Sequence, residues 1–148
     1  MEYADGGDLH QKIKEQKKKK KHFSESDIWG FAVGIVKAVE YLHKMNIIHR
    51  DVKTLNIFLT HKNRIKLGDL GVAVILTRND QLHATRVGTP LYLAPEMIRK
   101  QKYGIKVDVW AVGCVLFHLT NLKPPFSGDN LITLGFNICN TQPGKLPS

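Results

Sequence analysis

Two polar runs on either side of a short apolar hairpin pattern constrain this chain more than any other feature. His49-Arg50-Asp51-Val52-Lys53-Thr54-Leu55-Asn56 leads into an apolar stretch at 57–60, a polar stretch at 61–64, a second apolar stretch at 65–67, and then Asp69-Leu70-Gly71. Short apolar stretches around a polar turn read as an antiparallel hairpin. A turn centred between Lys62 and Asn63 predicts Thr60 opposite Ile65 and Asn56 opposite Asp69. Opposed residues have Cβ atoms about 4.5 to 5.5 Å apart, so an amide oxygen and a carboxylate would meet at the open end. Two hard oxygen ligands suit Mg²⁺, which takes few protein ligands alongside phosphate oxygens and water. The plainer alternative is a turn-end Asn and Asp that satisfy backbone groups. The nearby Asp51 and Lys53 argue for the chemical reading.

The rest of the chain supplies a helical frame. Leu9 and Ile13 suggest a short helix after Gly6-Gly7-Asp8, followed by a loop through the lysines at 17 to 21. Ser24 with Asp27 three positions on marks a helix start, and Ile28, Phe31, Ile35, Val39 (or Ala38) and Leu42 recur at helical spacing up to His43. Residues 73–86 are polar and aperiodic, as suits a mobile segment. From Asp108 the sequence is apolar nearly all round, which predicts a buried helix ended by Pro124-Pro125-Phe126; residues 129–139 predict one more.

With 148 residues, 43% of them hydrophobic, the chain has one domain's worth of core. No apolar stretch reaches the ~18 residues of a membrane span, so an intracellular protein without a membrane role is expected. Cys114 and Cys139 read as free thiols in a reducing compartment. The net charge of +9 is partly local, in the lysine run. That run reads as a solvated loop, a nuclear-import signal or an acidic docking site. No nucleic-acid module or metal-spaced Cys/His cluster is evident, so no nucleic acid is expected as a partner.

The run H-R-D-x-K-x-x-N, the D-L-G variant of D-F-G, Gly88-Thr89-Pro90, Ala94-Pro95-Glu96 and Asp108-Val109-Trp110 stand in the order found in eukaryotic protein kinases, which the chain resembles. The wording M-E-Y-x-x-G-G-D-L and V-G-T-P-x-Y-x-x-P-E most resembles the NIMA-related serine/threonine kinases. The resemblance implies an α+β, protein-kinase-like fold over 1–148: the hinge and a mainly α-helical C-terminal lobe with a short β-hairpin. The Gly-rich loop and lysine strand of the N-terminal lobe are absent from the 148 residues, so a partial domain with little activity alone is expected.

Roles follow from the same resemblance. Asp51 is expected to take or orient the proton of the attacking hydroxyl, and Lys53 to bring positive charge to the γ-phosphate. Asn56 and Asp69 hold Mg²⁺, while Thr89 belongs to the substrate site. Glu2 and Ala4 look like hinge residues whose backbone bonds the adenine of ATP, although a four-residue strand is an adequate structural account. Asp8 is placed to reach ribose and Phe58 to floor the adenine. Arg50 is expected to pair with a phosphate on Thr85, unless Thr85 is an ordinary exposed threonine. His49 and Leu70 pack the catalytic run against the metal segment, Asp108 accepts backbone N–H groups of the catalytic run, and Glu96 has no evident partner.

The implied activity is ATP- and Mg²⁺-dependent phosphorylation of protein Ser/Thr hydroxyls, in the cytoplasm with nuclear or cytoskeletal association as options. The alternative is a non-catalytic kinase-like binding module. Nothing in the sequence bears on oligomeric state.

Overall fold

The computed structural model describes residues 5–61, 64–75 and 90–146. Helix α1 (Leu9–Lys18) begins where the carboxylate of Asp8 accepts the backbone N–H of Gln11 at 2.8 Å, and its buried Leu9 and Ile13 face the core. The helix runs on through Lys17 and Lys18, so the lysine run is not all loop. Lysine is a good helix former, and positive charge in a last turn complements the helix dipole. Ahead of α1, Gly6 donates its N–H to Leu59 O and Leu59 donates to Gly7 O, both at 2.8 Å. A Cβ on Gly6 would stand 2.6 Å from the carbonyl oxygen of Leu59, so only glycine admits this approach.

Helix α2 (Glu25–Lys44) starts as its sequence indicates: Ser24 Oγ accepts the backbone N–H of Asp27 at 3.1 Å. Phe31, Ala32, Ile35 and Val39 are buried, while Ile28 and Leu42 are half-buried at the edges of the stripe. The helix lies close against the hairpin, where a Cβ on Gly34 would stand 2.5 Å from Cγ1 of Ile65.

Strands β1 (Ile47–Ile48) and β4 (Val74–Ile75) pair antiparallel, as do β2 (Ile57–Leu59) and β3 (Ile65–Leu67). The β2–β3 register differs from the expected one by one residue: Ile57 faces Leu67 and Leu59 faces Ile65. Thr60 donates its N–H to Arg64 O at 3.0 Å, which leaves three residues between the paired ends instead of the four expected between Thr60 and Ile65. Side chains alternate along a strand, so this slip puts Asn56 opposite Gly68, whose N–H donates to Asn56 O at 2.9 Å. Asp69 therefore lies just beyond the ladder. Strand β4 was not legible in the polar segment at 73–86; residues 76–89 lie outside the described ones.

Helix α3 (Pro95–Ile98) is short. Helix α4 (Lys106–Asn121) crosses the core with Val107, Asp108, Ala111, Val112, Cys114, Val115, His118 and Leu119 buried. It begins two residues before Asp108 and stops at Leu122, whose backbone is left-handed (φ 55°). Trp110 stacks on Phe126 with ring centroids 5.9 Å apart. Helix α5 (Leu131–Asn140) is capped by Asn130. Fully burying an aliphatic side chain such as Leu9, Ile35, Leu59 or Leu119 stabilises the fold by about 1.5–3 kcal/mol.

Both cysteines are free thiols. Burial pushes the pKa of Cys114 up to about 12, which makes it unreactive, and Cys139 is half-buried. Among the described residues no helix is long and apolar enough to cross a membrane.

Candidate active site

The catalytic run is held from below by one buried carboxylate. Asp108 accepts the backbone N–H of His49 on Oδ2 at 2.9 Å and that of Arg50 on Oδ1 at 2.8 Å. His43 Nε2 donates to Oδ2 at 2.8 Å. Three donors on a carboxylate that is 1% exposed offset much of its cost of burial. Arg50 takes a left-handed backbone (φ 66°), which turns the chain so that Asp51 follows into the site.

His49 is fully buried and joins the two polar segments. Its Nε2 lies 3.0 Å from Gly68 O, and its Nδ1 lies 3.3 Å from the backbone N of Asp51. A carbonyl can only accept and an amide can only donate, so Nε2 carries the proton and Nδ1 is bare.

Asp51, Lys53 and Asn56 converge. Lys53 Nζ lies 2.5 Å from Asp51 Oδ2, and Asn56 Nδ2 donates to the same oxygen at 3.1 Å and to Asp51 O at 3.0 Å. Both acceptors are oxygens, which identifies the inward end of the Asn56 amide as its NH₂ and leaves the amide oxygen for another ligand. Asp69 is exposed in a left-handed backbone (φ 59°), with Oδ1 accepting the N–H of Gly71 at 3.3 Å. The Asn56 amide oxygen and the exposed Asp69 carboxylate are hard oxygen donors of the kind that suits Mg²⁺, and the Asn56–Gly68 backbone bond ties their two segments together. Among the described residues no group of three His, Cys, Asp or Glu side chains offers a self-contained metal cage.

The remaining expected residues stand as follows. Leu70, expected to pack between the two segments, is 52% exposed. The left-handed Asp69 turns the chain just before it. Asp8 spends Oδ1 on capping α1, so a contact with ribose would need its other oxygen. Phe58 is half-buried with its ring over Gly68, where a Cβ would stand 2.8 Å from Cε2. Glu96 makes no ion pair among the described residues.

Arg50 donates from Nε to Val72 O at 2.6 Å and from Nη1 to the hydroxyl of Tyr103 at 3.2 Å. Sequence reasoning missed Tyr103 and His43, because neither lies in a motif. Glu2, Ala4, Thr85 and Thr89 lie outside the described residues.

Residues 1–143 match the family model described as the protein kinase domain. The chain belongs to the protein kinase family. Within it, the chain is 42% identical to the mouse serine/threonine-protein kinase Nek4 over 147 residues, which is 99% of this chain and 18% of that protein. It is 48% identical over 134 residues to mouse Nek9, covering 90% of this chain and 13% of Nek9. Over 152 residues it is 45% identical to the probable serine/threonine-protein kinase nek3 of Dictyostelium discoideum, covering all of this chain and 14% of that protein. This kinase-domain chain thus spans less than a third of the length of each of these relatives, and the NIMA-related wording of its motifs agrees with their names.

Proposed function

We propose that the kinase containing this chain transfers the γ-phosphate of ATP to serine and threonine hydroxyls of proteins. The observation that carries this reading is the shared Oδ2 of Asp51, held by Lys53 at 2.5 Å and by Asn56 at 3.1 Å. Two donors on one oxygen fix the carboxylate's direction, so an incoming hydroxyl meets it in one orientation. Positioning of this kind, with electrostatic stabilisation, is most of what a protein contributes to phosphoryl transfer.

In this reading Asp51 accepts the hydroxyl proton, and Lys53 sets a positive charge beside the transferring phosphoryl group. Mg²⁺ held by Asn56 and Asp69 would neutralise charge on the β- and γ-phosphates. Glu2 and Ala4 bond adenine through their backbone, Phe58 lies beneath it, and Asp8 turns its remaining oxygen to ribose. Thr89 lines the substrate side. The relatives are named serine/threonine kinases, which supports that choice of acceptor.

The test is transfer of labelled γ-phosphate to a serine/threonine peptide library by the full-length protein, with and without Asp51→Asn. Mg²⁺-dependent labelling that falls at least about 10²-fold in Asp51→Asn is the expected result. A wild-type protein that binds partners but labels no peptide would favour a non-catalytic binding module instead.

A further inference from the structure

A chain of buried polar side chains crosses the core beside the catalytic run. Thr54 Oγ1 lies 3.2 Å from the hydroxyl of Tyr92, and that hydroxyl lies 2.9 Å from Nδ1 of His118. At the other end Thr54 Oγ1 stands 3.5 Å from Nδ1 of His10 on α1, the outer limit of a hydrogen bond. Thr54, Tyr92 and His118 are 1%, 7% and 7% exposed, and the Tyr92 and His118 rings stack at 27°.

The three residues come from separate parts of the fold: the 3₁₀ turn Thr54–Asn56, the 3₁₀ turn Pro90–Tyr92, and α4. Burying a hydroxyl without a partner costs about 1–3 kcal/mol, so such a chain is tolerated only when each member is satisfied. Here the protons balance. Burial holds His118 neutral, with a pKa of about 4, so Nδ1 can accept from Tyr92 while Tyr92 accepts from Thr54. A displaced turn at Pro90–Tyr92 would strand polar groups at both ends of this chain. The network therefore favours one alignment of the three elements.

That alignment reaches the catalytic groups directly. Thr54 follows Lys53, and the turn it opens contains Asn56, whose backbone N–H donates to Lys53 O at 3.0 Å. Tyr92 lies three positions after Thr89. We infer that Thr54, Tyr92 and His118 are positioning residues that couple docking of the 90–92 turn to the alignment of Lys53, Asn56 and Asp51. The kinetic part of this inference rests on the phosphoryl-transfer reading; the coupling itself does not.

The test compares full-length Tyr92→Phe, Thr54→Val, Thr54→Ser and the Tyr92→Phe/Thr54→Val double variant. Amide hydrogen exchange across residues 53–56 reads the coupling without any activity. Tyr92→Phe, which removes a single hydroxyl 36 positions after Asn56, should speed exchange there. In kinetics, Tyr92→Phe and Thr54→Val should each lower kcat about two- to tenfold at unchanged KM for ATP. The double variant should be no worse than the weaker single, and Thr54→Ser should restore both readouts.

Unchanged exchange at 53–56 in Tyr92→Phe, or losses that multiply in the double variant, would overturn the inference. If Thr54→Val does not fold, exchange at 53–56 in Tyr92→Phe decides the coupling by itself. A wild type without phosphoryl transfer would count against the proposed activity alone, and exchange would then decide the network.

Discussion

Asp108 Oδ1 accepts the backbone N–H of Arg50 at 2.8 Å, so a buried charge on α4 sets the left-handed residue next to Asp51. Removing that carboxylate strands the N–H groups of His49 and Arg50 and the ring of His43. Asp108→Ala should therefore destabilise the fold by about 3–5 kcal/mol, and Asp108→Asn, which keeps one acceptor, by less. Urea unfolding of the two variants beside the wild type measures the difference. Equal stability for Asp108→Ala and wild type would remove the anchor from this account.

Asp69 is exposed, and among the described residues its carboxylate accepts only the N–H of Gly71, so its loss should be mainly catalytic. Asp69→Ala in the full-length protein should cut phosphoryl transfer about 10²- to 10³-fold while lowering stability by no more than about 1 kcal/mol, the cost of placing Ala in a left-handed backbone. Mg²⁺ titration of the residual activity should shift to higher concentration. Near-normal turnover would show that Asp69 is not a metal ligand.

Arg50 lies between the anchor and β4, with its guanidinium on Val72 O and the Tyr103 hydroxyl. We propose that a phosphate on Thr85 adds charge-assisted bonds to this guanidinium and raises activity. Phosphorylated enzyme should be severalfold more active than dephosphorylated enzyme. Thr85→Ala should abolish that ratio, and Arg50→Ala should shrink it toward one. Active enzyme whose mass spectra show no phosphate at Thr85 would end the proposal.

His118 gives the fold a pH signature. Burial lowers its pKa from 6.5 to about 4, with the nearby charges of His10 and Lys17 acting in the same direction. The unfolded chain therefore takes up this proton first. Stability is full above about pH 6.5, declines as pH falls toward 4, and changes no further below that. At pH 5 the loss from this group is on the order of 2 kcal/mol. Thermal melts at pH 7 and pH 5 should show a smaller drop for His118→Gln than for wild type; equal drops would mean that His118 does not carry the effect.

What was legible depended on the range of the interaction. Ser24 and Asp27 announced α2 because a cap is complete within four residues, and Phe31, Ile35 and Val39 announced its buried face because a helix repeats every 3.6 residues. Asp108 was legible through its motif, and its bonds to His49 and Arg50 are present. The β2–β3 register was not, since a connection of four residues and one of three look alike until Thr60 is seen bonded to Arg64. Nor was the exposure of Leu70, which depends on the left-handed backbone at Asp69 and on what surrounds it.

The chain's own order of residues settles which side chains can do chemistry and where the long amphipathic helix α2 lies, because functional groups and periodicity are local properties. Asp51, Lys53, Asn56 and Asp69 bring the same functional groups to any fold. Only packing brings Lys53 Nζ and the Asn56 amide onto one oxygen of Asp51, spends an oxygen of Asp8 on capping α1, and threads Thr54, Tyr92 and His118 into one hydrogen-bonded line. Tyr92 and His118 stand 26 positions apart with no shared motif. Their meeting is a consequence of how α4 lies against the 90–92 turn, and contacts between elements leave no period in the sequence for a reader to find.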